Sequence, residues 1–118
     1  MGFNAQFSNI IAAVFAATGQ DLGQVPESSM GLIQTEVLNN GDLYFSVYLP
    51  CLEIGIVGGG TNLPTQKECL NLMGVKSVLE LAEVIAATVL AGEISLIASQ
   101  AQGTLAKAHI KLGRKGKE

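Results

Sequence analysis

The chain has 118 residues, of which 48% are hydrophobic and 14% charged, and its formal net charge is −3 at pH 7. That length allows one domain, at the small end of what folds comfortably alone. The apolar content argues against disorder, and the acidic balance speaks against nucleic acid as a partner.

Cys51 and Cys69 lie far apart without paired spacing. They read as reduced, buried thiols of an intracellular, cytoplasmic protein. A single histidine and no Cys/His cluster give no basis for a metal site. Residues 1–20 lack the basic n-region of a signal peptide. The longest apolar stretch, residues 84–92, stops at Glu93 and is too short to span a bilayer. No membrane segment is expected.

Residues 4–18, NAQFSNIIAAVFAAT, place Phe7, Ile10, Ile11, Val14 and Phe15 on one helical face. The opposite face is Ala12, Ala13, Ala16 and Asn9, so the helix is apolar on both sides and is expected to be buried in something larger. Asn9 would then need polar partners inside a packed environment. Gly19 ends the helix, and Asp21 lies just beyond it in GQD.

Residues 22–30 read as a loop with Pro26 and two serines. Residues 32–50, LIQTEVLNNGDLYFSVYLP, read as a β-hairpin whose NNGD turn tolerates positive φ at Asn and Gly. Leu43, Phe45, Val47 and Leu49 then alternate with Tyr44, Ser46 and Tyr48, which gives one buried face. CLEIGIV (51–57) reads as a further short strand, and three glycines follow it.

Residues 64–75, PTQKECLNLMGV, read as a helix with proline in its first turn and Gly74 at its end. Ser77 and Glu80 have capping-box spacing. They open a long helix expected over 78–110. Small residues recur along it, so neighbours can approach closely, and Glu93 within it, read as structural, must find a partner or protonate. The fold class is α+β: a buried N-terminal helix, a small mostly antiparallel sheet with a hairpin, and a long C-terminal helix. Its apolar surface exceeds what one small chain can hide, which points to a partner.

The triple glycine at 58–60 is not a P-loop, and Leu63 breaks the dinucleotide fingerprint. A tight turn and a cofactor-facing anion nest both remain open. His109 is either a surface histidine at a helix C-terminus or a general acid near neutral pH. Asp21 is either a capping carboxylate or a cleft carboxylate. The basic tail KLGRKGKE reads as a solvated terminus.

Three segments form a recognisable set in one order: GFNAQFSNIIAAVFAATGQD, DLYFSVYLPCLEIGIVGGGT and LAGEISLIASQAQGTLAKAH. Together they resemble the C-terminal part of the catalytic domain of 3-hydroxy-3-methylglutaryl-CoA (HMG-CoA) reductase, over nearly the whole chain. The likeness is to the eukaryotic and archaeal class, because the histidine ends the last helix.

The resemblance implies NADPH-dependent reduction of HMG-CoA to mevalonate, with two hydride transfers and release of CoA. It implies that Asp21 belongs to a Glu–Lys–Asp network in which lysine polarises the reacting carbonyl. His109 would protonate the departing CoA thiolate. Asn9 would hydrogen-bond near the thioester. Val57, Gly58 and Gly59 would form the loop beside the cofactor, letting backbone approach it. Arg114 falls where the family has a basic residue near the cofactor.

Departures from the family are Gln6 for a common histidine, Ile56 for threonine in the glycine loop, and Ser99 and Gln100 where the pocket is usually apolar. Lys76 alone remains of a longer loop, and Ala108 stands where some animal relatives carry a phosphorylatable serine. The family's catalytic lysine and glutamate, its DAMGMN motif and its small cofactor-binding domain have no counterpart. Lys67, Lys76 and Lys107 do not stand in the lysine motif. Residues 1–118 therefore read as the C-terminal segment of the substrate-binding domain, inactive alone. The expected partners are the N-terminal part of the enzyme and further copies in a homodimer or larger assembly. A non-catalytic binding or oligomerisation module that kept the fold is the alternative.

Overall fold

The computed structural model describes residues 3–113. In chain order it has α1 (Phe7–Thr18), a 3-10 turn (Leu22–Gln24), α2 (Val25–Ser28), β1 (Leu32–Val37), β2 (Leu43–Tyr48), α3 (Pro64–Met73), α4 (Val78–Ala101) and α5 (Leu105–Gly113). The α+β architecture is as expected.

The core is built from three helices. Phe7, Ile11 and Phe15 of α1 meet Leu81, Ile85 and Val89 of α4, and Leu70 of α3 closes the cluster. Each set recurs every four residues, so one stripe per helix is buried. β1 and β2 pair antiparallel, with Leu32 opposite Tyr48 and Val37 opposite Leu43. Ile33 and Val47 face each other and pack on the helical core. The turn takes its positive φ at Gly41 alone, and the Asn40 side chain ties it to Asp42.

The crossing of α1 and α4 is held by polar as well as apolar contacts. A Cβ at Gly92 would meet the tip of the Ile10 side chain, which packs directly over this glycine. The buried Glu93 carboxylate accepts the N–H groups of Ala5 at 3.1 Å and Gln6 at 2.6 Å. Orphan N–H groups and the positive end of the helix dipole both favour a carboxylate at this place. Gln6 answers by donating from Nε2 to the Gly92 carbonyl at 2.7 Å. Glu93 thus has the partners the sequence demanded. The capping box at Ser77 and Glu80 is also formed.

Four expectations are corrected. Residues 22–28 are helical, with Asp21 capping the 3-10 turn. Residues 51–57 form no strand, because their backbone groups bond to side chains. The long helix ends at Ala101, and Gly103, at φ 66°, separates it from α5. Only one face of α1 is buried; Asn9 lies on the exposed side, away from the stripe of Phe7, Ile11 and Phe15. The expectation of buried thiols is also corrected: both cysteines are free, but Cys51 is exposed and Cys69 only half-buried.

α4 is long and apolar enough to cross a membrane by length and composition, which the shorter stretch read from the sequence did not suggest. In this fold its buried stripe is the core face against α1.

Candidate functional site

Two chain segments converge at the C-terminal end of α1. The first is Gly19-Gln20-Asp21. Gly19 closes α1 at φ 72°, a left-handed conformation that glycine adopts without penalty. Asp21 is exposed, and its Oδ1 accepts the Gly23 N–H at 2.9 Å.

The second segment runs from Glu53 to Thr61. The Glu53 N–H donates to the buried Ser28 hydroxyl at 3.0 Å. The Gly55 N–H donates to Gln20 Oε1 at 2.8 Å, and Gln20 Nε2 donates to the Gly55 carbonyl at 2.9 Å. A side-chain amide here bonds the Gly55 backbone groups that a neighbouring strand would otherwise take, and residues 51–57 form no strand.

The glycine run turns the chain beside α1. Gly58 and Gly59 hold φ at 83° and 54°. Gly60 faces Gly19 so closely that a Cβ on it would sit 3.0 Å from the Gly19 oxygen. Buried Thr61 fastens the turn by donating its hydroxyl to the Gly58 carbonyl at 2.6 Å. Among the described residues, nothing accepts a hydrogen bond from the N–H groups of Gly58, Gly59 or Gly60.

These segments enclose an open cleft of ≈ 310 Å³ that is lined by Asp21, Gln20, Glu53, Val57, Gly58 and Gly59, among others. A second opening of ≈ 460 Å³ lies against Asp21, Leu22, Gly60 and Leu63. Asp21, Val57, Gly58 and Gly59 therefore line one cleft, beside a loop whose glycine N–H groups are unclaimed among the described residues. Unclaimed backbone N–H groups of this kind suit an anionic group.

His109 stands apart. It is exposed on α5, in a hollow with Ala108, Leu112 and Gly113 that shares no residue with either cleft. Asn9 lines neither cleft. Arg114 lies outside the described residues. Among the described residues, no group of three His, Cys, Asp or Glu side chains could hold a metal ion.

Gln20 and Ser28 were missed by sequence reasoning. Gln20 sits inside the GQD motif, but nothing local shows that it reaches residue 55. Ser28 lies in a segment read as loop.

Residues 1–114 match the family model for hydroxymethylglutaryl-coenzyme A reductase. The 3-hydroxy-3-methylglutaryl-coenzyme A reductase of Aeropyrum pernix is 58% identical over 122 aligned positions, covering 97% of this chain and 29% of the relative. That of Methanocaldococcus jannaschii is 53% identical, with 97% and 29% covered. A Panax ginseng protein named 3-hydroxy-3-methylglutaryl coenzyme A reductase 2-A is 47% identical, with 99% and 21% covered. The chain thus spans less than a third of the length of these archaeal and plant relatives.

Proposed function

The chain belongs to the hydroxymethylglutaryl-coenzyme A reductase family, and from that premise we propose that it works as the C-terminal segment of an enzyme reducing HMG-CoA to mevalonate and CoA. The observation that carries this reading is the shared cleft of Asp21 and the glycine loop. The balanced reaction takes HMG-CoA, two NADPH and two protons to mevalonate, CoA and two NADP⁺.

The loop fits a nicotinamide cofactor. Gly58 combines positive φ with open space where a Cβ would point, and the neighbouring N–H groups are unclaimed. Val57, Gly58 and Gly59 would hold the cofactor, with Arg114 supplying positive charge. When bound, NADPH supplies hydride to the thioester carbon and then to the aldehyde carbon.

Asp21 fixes the position and proton supply of a lysine that lies on the N-terminal part of the enzyme. That lysine stabilises the developing oxyanion. Asn9 is exposed on α1 away from both clefts, so a hydrogen bond beside the thioester needs the rest of the enzyme to bring the substrate to that face. His109 donates a proton to the CoA thiolate. Because His109 lies away from the cleft, this role needs α5 to be set against the substrate by the N-terminal part or by a second copy in a homo-oligomer. α4 serves as a core helix of the larger domain in a cytoplasmic enzyme of the mevalonate pathway, and the isolated chain is inactive. The alternative of a non-catalytic module is not favoured, since such a module would not need Asp21 beside the glycine loop.

The test joins this chain to the N-terminal portion of the Aeropyrum pernix reductase and follows NADPH oxidation with HMG-CoA. Turnover to mevalonate is expected from the joined protein and not from the chain alone. Asp21→Asn should lower kcat about 100-fold or more, the scale of losing one charge-stabilising group. A folded joined protein that binds NADPH without turnover would establish the module instead.

A further inference from the structure

Gln20 lines both clefts beside Asp21, yet nothing above gives it a part in the reaction. Its side chain bonds the backbone of one distant residue twice, giving a hydrogen to the Gly55 carbonyl and taking one from the Gly55 N–H. A primary amide is suited to this, because it carries a donor and an acceptor side by side. Nε2 also lies 3.4 Å from the Thr18 carbonyl. Among the described residues, these bonds to Gly55 are the only side-chain hydrogen bonds between residues 19–23 and 53–61. The other ties of the second segment run elsewhere: Glu53 to Ser28 on α2, and Thr61 within its own turn.

We propose that Gln20 is a positioning residue, whose doubly bonded amide holds the Asp21 carboxylate in register with the glycine loop at 58–60. This rests on the reading of Asp21 and the loop given above. Gln20 is covalently next to Asp21, Gly55 is three residues from Gly58, and both Gln20 and Gly55 line the cleft, so the clamp joins its two segments. Gly19 and Gly60 pack closely, but no hydrogen bond joins them. The amide pair fixes the offset along the chain, as a ladder pair does between strands. Hydride transfer is sensitive to such offsets, since a displacement of about 1 Å can cost about 100-fold in rate.

The experiment uses the joined reductase with Gln20→Ala, Gln20→Glu and, as a control on the site, Asp21→Asn. Both Gln20 variants should lose about 10- to 100-fold in kcat/KM at pH 7. The isotope effect with NADPH deuterated at the transferred position should rise, because hydride transfer becomes more limiting. Amide exchange should quicken in peptides covering 19–23 and 53–61 and not in α4.

Gln20→Glu carries a further signature. The ionised carboxylate has no donor for the Gly55 carbonyl, whereas the protonated acid has a donor and an acceptor like the amide. The activity of Gln20→Glu relative to Gln20→Ala should therefore climb as pH falls. Unchanged exchange in the two segments would overturn the proposal. So would faster exchange with kcat/KM and the isotope effect left as in the parent. A loss of activity that only tracks loss of folded protein would assign Gln20 a structural role and overturn it too. If Asp21→Asn keeps full turnover, the reading of Asp21 fails; exchange and isotope changes in the Gln20 variants would then report the glycine loop alone, and the register with Asp21 would be refuted.

Discussion

Gly19 and Gly58 both have positive φ, but they differ in what surrounds them. A Cβ at Gly58 meets nothing, whereas a Cβ at Gly19 would overlap the backbone of Gly60. Gly58→Ala should therefore cost only the left-handed penalty of about 1–2 kcal/mol. Gly19→Ala adds overpacking against backbone that cannot rotate away, roughly a further 1–3 kcal/mol. Urea unfolding of the two variants should rank them clearly, and equal midpoints would refute the close approach of the two loops.

At the scale of elements, the junction of α1 with α4 decides where the site forms, because α1 carries Asn9 at one end and delivers Gly19, Gln20 and Asp21 at the other. Glu93 anchors the start of α1 from inside α4. Truncation by Glu93→Ala would leave two N–H groups without their acceptor, at about 1–3 kcal/mol. Glu93→Gln keeps one acceptor oxygen and should lose less. Thermal melts that show the two variants equally stable would mean the carboxylate is not the anchor. The cap at the start of α4 is an independent case: Ser77→Ala should cost about 1 kcal/mol, read by the same melts. It touches neither cleft, so kinetic constants of the joined reductase should stay put.

On the scale of the whole molecule, the chain is more open than its length requires. Its radius of gyration is 16.5 Å, against about 13.5 Å for a compact domain of this size. Its accessible surface is 8018 Å², against roughly 6,100 Å² from size scaling. The excess includes large apolar side chains: Leu72 is 83% exposed, Leu79 76%, Val57 85% and Leu112 81%. Surface of this kind calls for a partner. The isolated chain should self-associate in sedimentation velocity and bind an apolar dye. Both signals should fall when it is joined to the N-terminal part of a reductase. A monodisperse, dye-silent chain would contradict the need for a partner.

Local sequence determined the α1 stripe, the hairpin and the capping box at Ser77. These follow from local spacing, whatever lies nearby. The expected buried face of β2 is only partly formed, since Leu43 near the turn is 61% exposed. The resemblance carried by GQD and GGGT singled out Asp21, Gly58 and Gly59, and the fold places all three along one cleft. Tertiary structure alone decided the rest. Residues 51–57 have the pattern of a strand, but Gln20 and Ser28 took the backbone groups that a neighbouring strand would need. Asn9 has the spacing of a buried residue on an alanine face, but that face of α1 is exposed. The helix over 78–110 has continuous helical pattern, but Gly103 adopts a left-handed φ and sets α5, with His109, off from α4. In each case the outcome depended on which distant group arrived at the segment, and local spacing does not encode that.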